Sequence, residues 1–105
     1  MKKIQGYKLT IGLNDKNTLK QEISTEKAIS IIKQKMESLR KGFSLKEIEG
    51  GYEMQNTRYV FEKSVELSIF NIHQKTLFYV CDYIKQVLNQ ESILITEITE
   101  QALFY

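Results

Sequence analysis

Two stretches of helical spacing, each flanked by runs that alternate with a period of two, constrain this chain more than anything else in it. In "STEKAISIIKQKMESLRKG", Ala28, Ile31, Ile32, Met36 and Leu39 recur at the three- and four-residue spacing of a buried helical stripe. In "NIHQKTLFYVCDYIKQVLN", Leu77, Val80, Cys81, Ile84, Val87 and Leu88 do the same. Before the first stripe, "GYKLTIGL" alternates Tyr7, Leu9, Ile11 and Leu13 with Lys8, Thr10 and Gly12, the signature of a strand with one apolar face. Between the stripes lie "FSLKEIEGGYEM" and "RYVFEKSVELSIF", joined by the turn-forming "QNT", and "ILITEI" follows the second stripe. The predicted order is β-α-β-β-α-β. That order specifies a ferredoxin-like α+β domain: a four-stranded antiparallel sheet with two helices on one face and the other face open.

Local signals refine these elements. "NDKN" supplies turn chemistry after the first strand, and "TLKQEI" reads as a short extended return. Ser24 is the expected N-cap of the first helix, with Thr25 nearly as good and Glu26 in the first turn; Gly42 is the expected residue just past its end. In "FSLKEIEGGYEM" the apolar parity changes between Leu45 and Ile48, which predicts a β-bulge over Glu47 to Gly51. Lys63 interrupts the apolar row of Tyr59, Phe61, Val65, Leu67 and Ile69, marking a second bulge or the point where the strand leaves the core. The second helix is expected near Asn71, with Gln74 completing a capping box. Asn89 suits the left-handed turn that ends it, and Gln90, Glu91 and Ser92 fill the connection to the last strand, within reach of the helix's free carbonyls. The tail "TEQALFY" carries no clear pattern.

Composition narrows the class. A chain of 105 residues, 42% hydrophobic and 27% charged, is expected to fold as one domain over residues 1–105. Fifteen basic against thirteen acidic residues leave a net charge of +2, which gives no electrostatic reason to expect nucleic acid or an anionic membrane. The lone Cys81 forms no internal disulfide and points to a reducing, cytoplasmic setting. No signal-like apolar run follows Met1-Lys2-Lys3, and nothing approaches the ~20 apolar residues of a membrane span.

Two groups of polar residues are candidate binding sites. The first is the open sheet face, with Lys8 and Thr10 from the first strand and Glu62, Ser64, Glu66 and Ser68 from the third. Paired carboxylates beside a lysine are the material of proton transfer or ligand binding, although half-buried antiparallel sheets alternate this way for solvation alone. The second group is the corner Gln90, Glu91 and Ser92, placed by the topology near the far end of the first strand. Glu and Ser at central positions argue against base stacking on the sheet, and Lys2, Lys3, Lys33, Lys35, Arg40 and Lys41 read as solvated helix and terminal charges. His73 has no second histidine or cysteine near it, so neither a metal set nor a histidine-based triad assembles. Cys81 belongs to the apolar stripe, and "EGGYEM" lacks the lysine and following helix of a phosphate loop. The sequence thus offers no catalytic residue set, no metal ligands and no cofactor motif.

In order along the chain, "YKLTIGLND", "ISTEKA", "GGYEM", "EKSVELSIF" and "NQESILI" resemble a diffuse group of small bacterial domains of unknown function. Some members are similar to proteins of phages and conjugative elements of low-GC Gram-positive bacteria. The resemblance spans Tyr7 to Ile98 and implies a ferredoxin-like fold without an assigned activity. Together these features favour a non-catalytic interaction protein, docking on a second copy of itself or another protein through the open face or a sheet edge. Aromatics that the core pattern does not need, Tyr79, Tyr83, Phe104 and Tyr105, support that preference, and the mobile-element resemblance implies an accessory or defence-inhibiting role. The alternative is a binder of a nucleotide or metabolite, or an enzyme, using the polar face or the Gln90-Glu91-Ser92 corner.

Overall fold

In the computed structural model, which describes residues Met1 to Tyr105, six elements follow in the predicted order. They are β1 (Lys2–Gly12), α1 (Thr25–Ser38), β2 (Ser44–Glu53), β3 (Tyr59–Phe70), α2 (Gln74–Val87) and β4 (Leu94–Ala102). The strands form one sheet in the order β2-β3-β1-β4, with every neighbouring pair antiparallel. This is the ferredoxin-like α+β fold. Strands one and four run longer than their alternation suggests: β1 begins at Lys2, and β4 takes in most of the tail. Edge pairing with β1 carries β4 as far as Ala102, opposite Lys2.

One parity of the sheet is buried. Leu9 and Ile11 from β1, and Val65, Leu67 and Ile69 from β3, are fully enclosed. They join Ala28, Ile32 and Met36 of α1 and Leu77, Val80, Cys81 and Ile84 of α2 in a single hydrophobic cluster. Because those sheet residues share one face, both helices cover that face and leave the other open. Burial of a full Leu or Ile side chain stabilises by about 1.5–3 kcal/mol, so this layer dominates the favourable side of folding. Cys81 lies within it, and burial, reinforced by Asp82 and opposed by Lys85, pushes its thiol up to about 11. It is therefore a protonated packing group rather than a nucleophile.

Several local expectations are corrected. The β2–β3 pairing runs without interruption from Ser44↔Ser68 to Glu53↔Tyr59, so there is no bulge at Glu47–Gly51. Ile48 and Tyr52 instead face the open side of a regular strand, opposite Ser64 and Val60. Lys63 marks the point where β3 leaves the core: Phe61 and Tyr59 keep the apolar parity but lie beyond the helices, 80% and 57% exposed. Their rings meet edge to face at 5.2 Å on a projecting hairpin. Arg40, at φ 56, takes the left-handed position after α1, and Gly42 does not. The N-cap of α2 is His73, without a side-chain cap bond, while Asn71 sits at φ 58. Tyr79 and Tyr83 are not free docking aromatics. Lys35 of α1 donates to the Tyr79 hydroxyl at 2.7 Å and lies 4.6 and 4.2 Å from the two ring centroids, tying the helices together on their outer side.

Ser24 does cap α1, its Oγ accepting from the Lys27 N–H at 3.1 Å. Ser24→Ala should therefore lower unfolding stability by about 1 kcal/mol, whereas His73→Ala, which removes no cap bond, should stay within about 0.5 kcal/mol of wild type in urea unfolding.

Candidate functional site

Antiparallel order brings the C-terminal end of β1, the N-terminal ends of β3 and β4 and the end of α2 to one edge of the molecule. There the loop after β1 and the turn after α2 are stapled together. The Asn89 side-chain amide donates to Asp15 Oδ2 at 2.9 Å, and the Lys16 N–H donates to the Asn89 carbonyl at 3.0 Å. Asn89 can hold this position because asparagine tolerates the left-handed backbone, here φ 50. Gln90 follows, buried, with its amide nitrogen donating to the carbonyls of Asn14 at 2.7 Å and Leu88 at 3.3 Å. The expectation that this turn serves the helix's free carbonyls is met by that second bond.

Asp15 organises its own loop. Its Oδ1 accepts from the backbone of Asn17 at 2.8 Å and Thr18 at 3.2 Å, and Leu19 closes the turn at φ 59. The Asn89 amide first, then the Asn17 and Thr18 N–H groups and the Lys16 charge, hold the Asp15 carboxyl below its ordinary 3.8.

Next to this staple lies Glu62. Its carboxylate rests over the Cα of Gly12, and Oε2 accepts from the Asn14 N–H at 2.9 Å. A Cβ on Gly12 would stand 2.6 Å from Oε2, so glycine is required for this close approach. Register places Gly12 opposite Ser64, and Glu62 reaches it diagonally from two residues earlier on the same face.

A cleft of about 300 Å³ opens between these parts. Of the residues singled out in the sequence, Thr10, Glu62, Ser64, Gln90, Glu91 and Ser92 all line it, so half of the sheet-face group and the whole corner group share one cleft. Lys8, Glu66 and Ser68 lie further along the sheet. Lys8 Nζ is 3.8 Å from Glu66 Oε1 across neighbouring strands, with both side chains partly exposed; such a pair contributes about 0–1 kcal/mol. Asn14, Asp15, Lys16, Leu19, Tyr52 and Leu94, which complete the walls, are not among the sequence-based candidates. The one available signal was Gly12, an interior strand glycine that marks a close approach.

The chemistry of the walls is uneven. Asp15, Glu62 and Glu91 face a single Lys16, while Thr10, Ser64 and Ser92 supply hydroxyls. Tyr52, Leu19 and Leu94, 44%, 45% and 65% exposed, form an apolar rim. The open face is thus polar in the middle and apolar at its margins, where Phe70 also lies over Gly6. Larger concavities exist, but the one of about 450 Å³ among Gln34, Glu37, Ser38 and Arg40 has no apolar wall and is lined only by polar side chains of α1 and its end. A groove of about 430 Å³ on the far side of Glu62 is lined by Asn14, Gln21, Glu49, Gly50, Phe61 and Lys63.

No family model and no curated protein matches this chain. Solved structures do. A phage SAM lyase in complex with S-methyl-5′-thioadenosine superposes with a TM-score of 0.68 at 16% identity, over 97% of this chain and 92% of the lyase. A phage SAM lyase in its apo state gives 0.60 at 18% identity, over 96% and 91%. At these identities the likeness establishes the fold. It agrees with the phage association drawn from the sequence and leaves the resemblance to an uncharacterised bacterial group without support. It also overturns the order of the functional expectations. Proteins of this architecture, matched nearly end to end, include an enzyme in complex with a small molecule. The non-catalytic docking protein is withdrawn in favour of its alternative. The physical reason it misled is that the open face is not a flat docking floor: it ends in a notch lined by carboxylates. No helix is long and apolar enough to cross a membrane.

Gly12→Ala should displace the Glu62 carboxylate while leaving the melting temperature within about 3 °C of wild type, because its strand backbone suits alanine; a crystal structure of the variant with Glu62 unmoved would contradict this. Asp15 provides a pH test. Its folded value is lowered, so its contribution to stability is complete above the ordinary 3.8 and disappears as pH falls through the lower folded value. Chemical unfolding from pH 5 downward should show that loss in wild type and its absence in Asp15→Asn.

Proposed function

We propose that the chain binds a sulfonium nucleoside of the S-adenosylmethionine class in the Glu62 cleft and cleaves it to S-methyl-5′-thioadenosine. The observation that carries this reading is the composition of the cleft, with three carboxylates among its lining residues and exposed apolar side chains beside them, on a fold shared with a SAM lyase. Three carboxylates against one lysine attract a cation and repel phosphate, which favours a sulfonium over a nucleotide within the small-molecule alternative. Tyr52, Leu19 and Leu94 offer apolar surface to a purine ring, and Thr10, Ser64 and Ser92 offer hydroxyl partners to a ribose.

The chemistry suits a site without a triad. In S-adenosylmethionine the sulfur already carries the positive charge. When the ligand's own carboxylate oxygen attacks the γ-carbon of the amino-acid chain, a C–O bond forms as the C–S bond breaks, the C–S electron pair goes to sulfur, and a neutral thioether departs beside a lactone. No leaving group needs a proton, and no oxyanion develops that requires a donor pair. The protein has to bind, orient and exclude water. Glu62 is the residue we assign to the cationic portion of the ligand, with Glu91 beside it; Lys8, Glu66 and Ser68 stay outside the site. Residues 1–105 act as one ferredoxin-like domain in this reading, supported by the single hydrophobic cluster, and a single cooperative unfolding transition is expected. The buried free thiol of Cys81 supports a reducing, cytoplasmic place of action.

Isothermal titration should give saturable binding of S-adenosylmethionine and of S-methyl-5′-thioadenosine, with ATP at least about tenfold weaker. Chromatography should show S-methyl-5′-thioadenosine accumulating from S-adenosylmethionine. Glu62→Gln should weaken the sulfonium ligand by about tenfold or more. Preference for ATP, or no binding of either adenosyl compound, would reject the assignment.

A further inference from the structure

We infer that Gln90 is a positioning residue for Glu62, acting through the backbone of Asn14 and making no donor contact to the ligand. The inference rests on the reading that Glu62 meets the cationic part of that ligand. Gln90 lines the cleft and is only 8% exposed, a rare degree of burial for its type. Its amide nitrogen carries two hydrogens, and two backbone carbonyls take them: Asn14 at 2.7 Å and Leu88 at 3.3 Å. Those acceptors also fix which way the amide points, since only the NH₂ group can serve both. Nothing is left on Gln90 to donate to a ligand.

The recipient of the shorter bond is the residue that holds Glu62. Asn14 is gripped at both ends: its carbonyl accepts from Gln90, and its N–H donates to Glu62 Oε2 at 2.9 Å. Its side-chain amide adds a longer bond of 3.3 Å to the Phe61 carbonyl, on the residue before Glu62. Rotation of the Asn14 backbone would therefore swing its N–H away from the carboxylate. On the opposite side Gly12 gives the carboxylate room but no bond. Gln90 is the side chain that opposes the rotation, from the turn that the Asn89–Asp15 bond already fastens to this loop. A charge-assisted bond from a fixed N–H is directional, so loosening Asn14 should alter the reception of a cation more than that of a neutral ligand.

That difference supplies the test. S-adenosylmethionine, a sulfonium cation, and S-methyl-5′-thioadenosine, a neutral thioether, are titrated into wild type, Gln90→Met, Glu62→Gln and the double variant. Gln90→Met should weaken the sulfonium about tenfold and leave the thioether within about twofold. In the Glu62→Gln background the same change should add nothing further, because the two act as a unit. Equal weakening of both ligands, or losses that multiply in the double variant, would reduce Gln90 to a structural residue. If wild type binds neither compound, the sulfonium assignment fails and this inference fails with it; if wild type binds both, only the role of Gln90 is at stake. Wild type alone provides a check that survives any misfolding of the variants: the Gln90 side-chain amide hydrogens should exchange with solvent at least about tenfold more slowly than those of the exposed Gln34, and equal rates would overturn the proposal.

Discussion

One-sided burial of the sheet is the constraint on which the rest depends. Leu9, Ile11, Val65, Leu67 and Ile69 share a parity and are enclosed by both helices. With that face committed, every alternate residue of β1 and β3 is forced to the other side, and a one-residue slip would exchange the two sets. The polar residues Thr10, Glu62, Ser64 and Glu66 therefore stand together because their neighbours are apolar. The antiparallel order then decides which loops meet. The exit of β1 and the exit of α2 share an edge, so the loop at Asn14–Leu19 and the turn at Asn89–Ser92 become walls of one cleft.

The glycines show how local rules mislead when the cross-strand neighbour is unknown. None of the five has a positive φ. The left-handed positions fall to Leu19, Arg40, Thr57, Asn71 and Asn89, held there by the bonds around them. Glycine serves here to make room. Gly12 accepts the Glu62 carboxylate, and Gly51 lies beneath the Tyr59 ring, in each case through a diagonal contact two residues out of register. Sequence reasoning assigned Gly42 to a helix end and Gly50-Gly51 to a bulge, because turn and bulge chemistry can be read locally. A diagonal neighbour on the next strand cannot.

What could be read from the sequence followed the same division. Element order, fold class, the Ser24 cap, the left-handed Asn89 and the departure of β3 from the core at Lys63 are all encoded in spacing along the chain. Of the candidate cleft, the residues on strand parity and in the α2–β4 turn were found, since topology alone brings them to one edge. Tyr52 was misplaced because a regular strand with Ile48 and Tyr52 outward mimics a bulge when the core side of β2 is too exposed to show its parity. Asp15 and Leu19 were missed because their position depends on a bond from Asn89, 74 residues away along the chain. Phe61 and Tyr59 share the apolar parity yet lie outside the core, since alternation reports which face a side chain takes, and not whether a helix reaches that far.

Net charge failed in an instructive way. Fifteen bases against thirteen acids average to a nearly neutral surface, and that average gives no reason to expect nucleic acid. The average also concealed a local reversal. The cleft holds Asp15, Glu62 and Glu91 with Lys16 alone, while most of the lysines stand on helices and the outer sheet. The field a ligand meets is set by groups within a Debye length, about 8–10 Å in ordinary salt, and partly enclosed charges are screened less than exposed ones. A weakly basic protein can therefore present an acidic site, and the sign of that site carries information that composition has averaged away. In the proposed reading that sign favours cations over phosphates among small molecules of similar size. On the proposed reading, a substrate whose own positive charge assists bond cleavage asks the protein for a carboxylate held at a fixed angle, and the bond from the Asn14 N–H to Glu62 is the observed restraint.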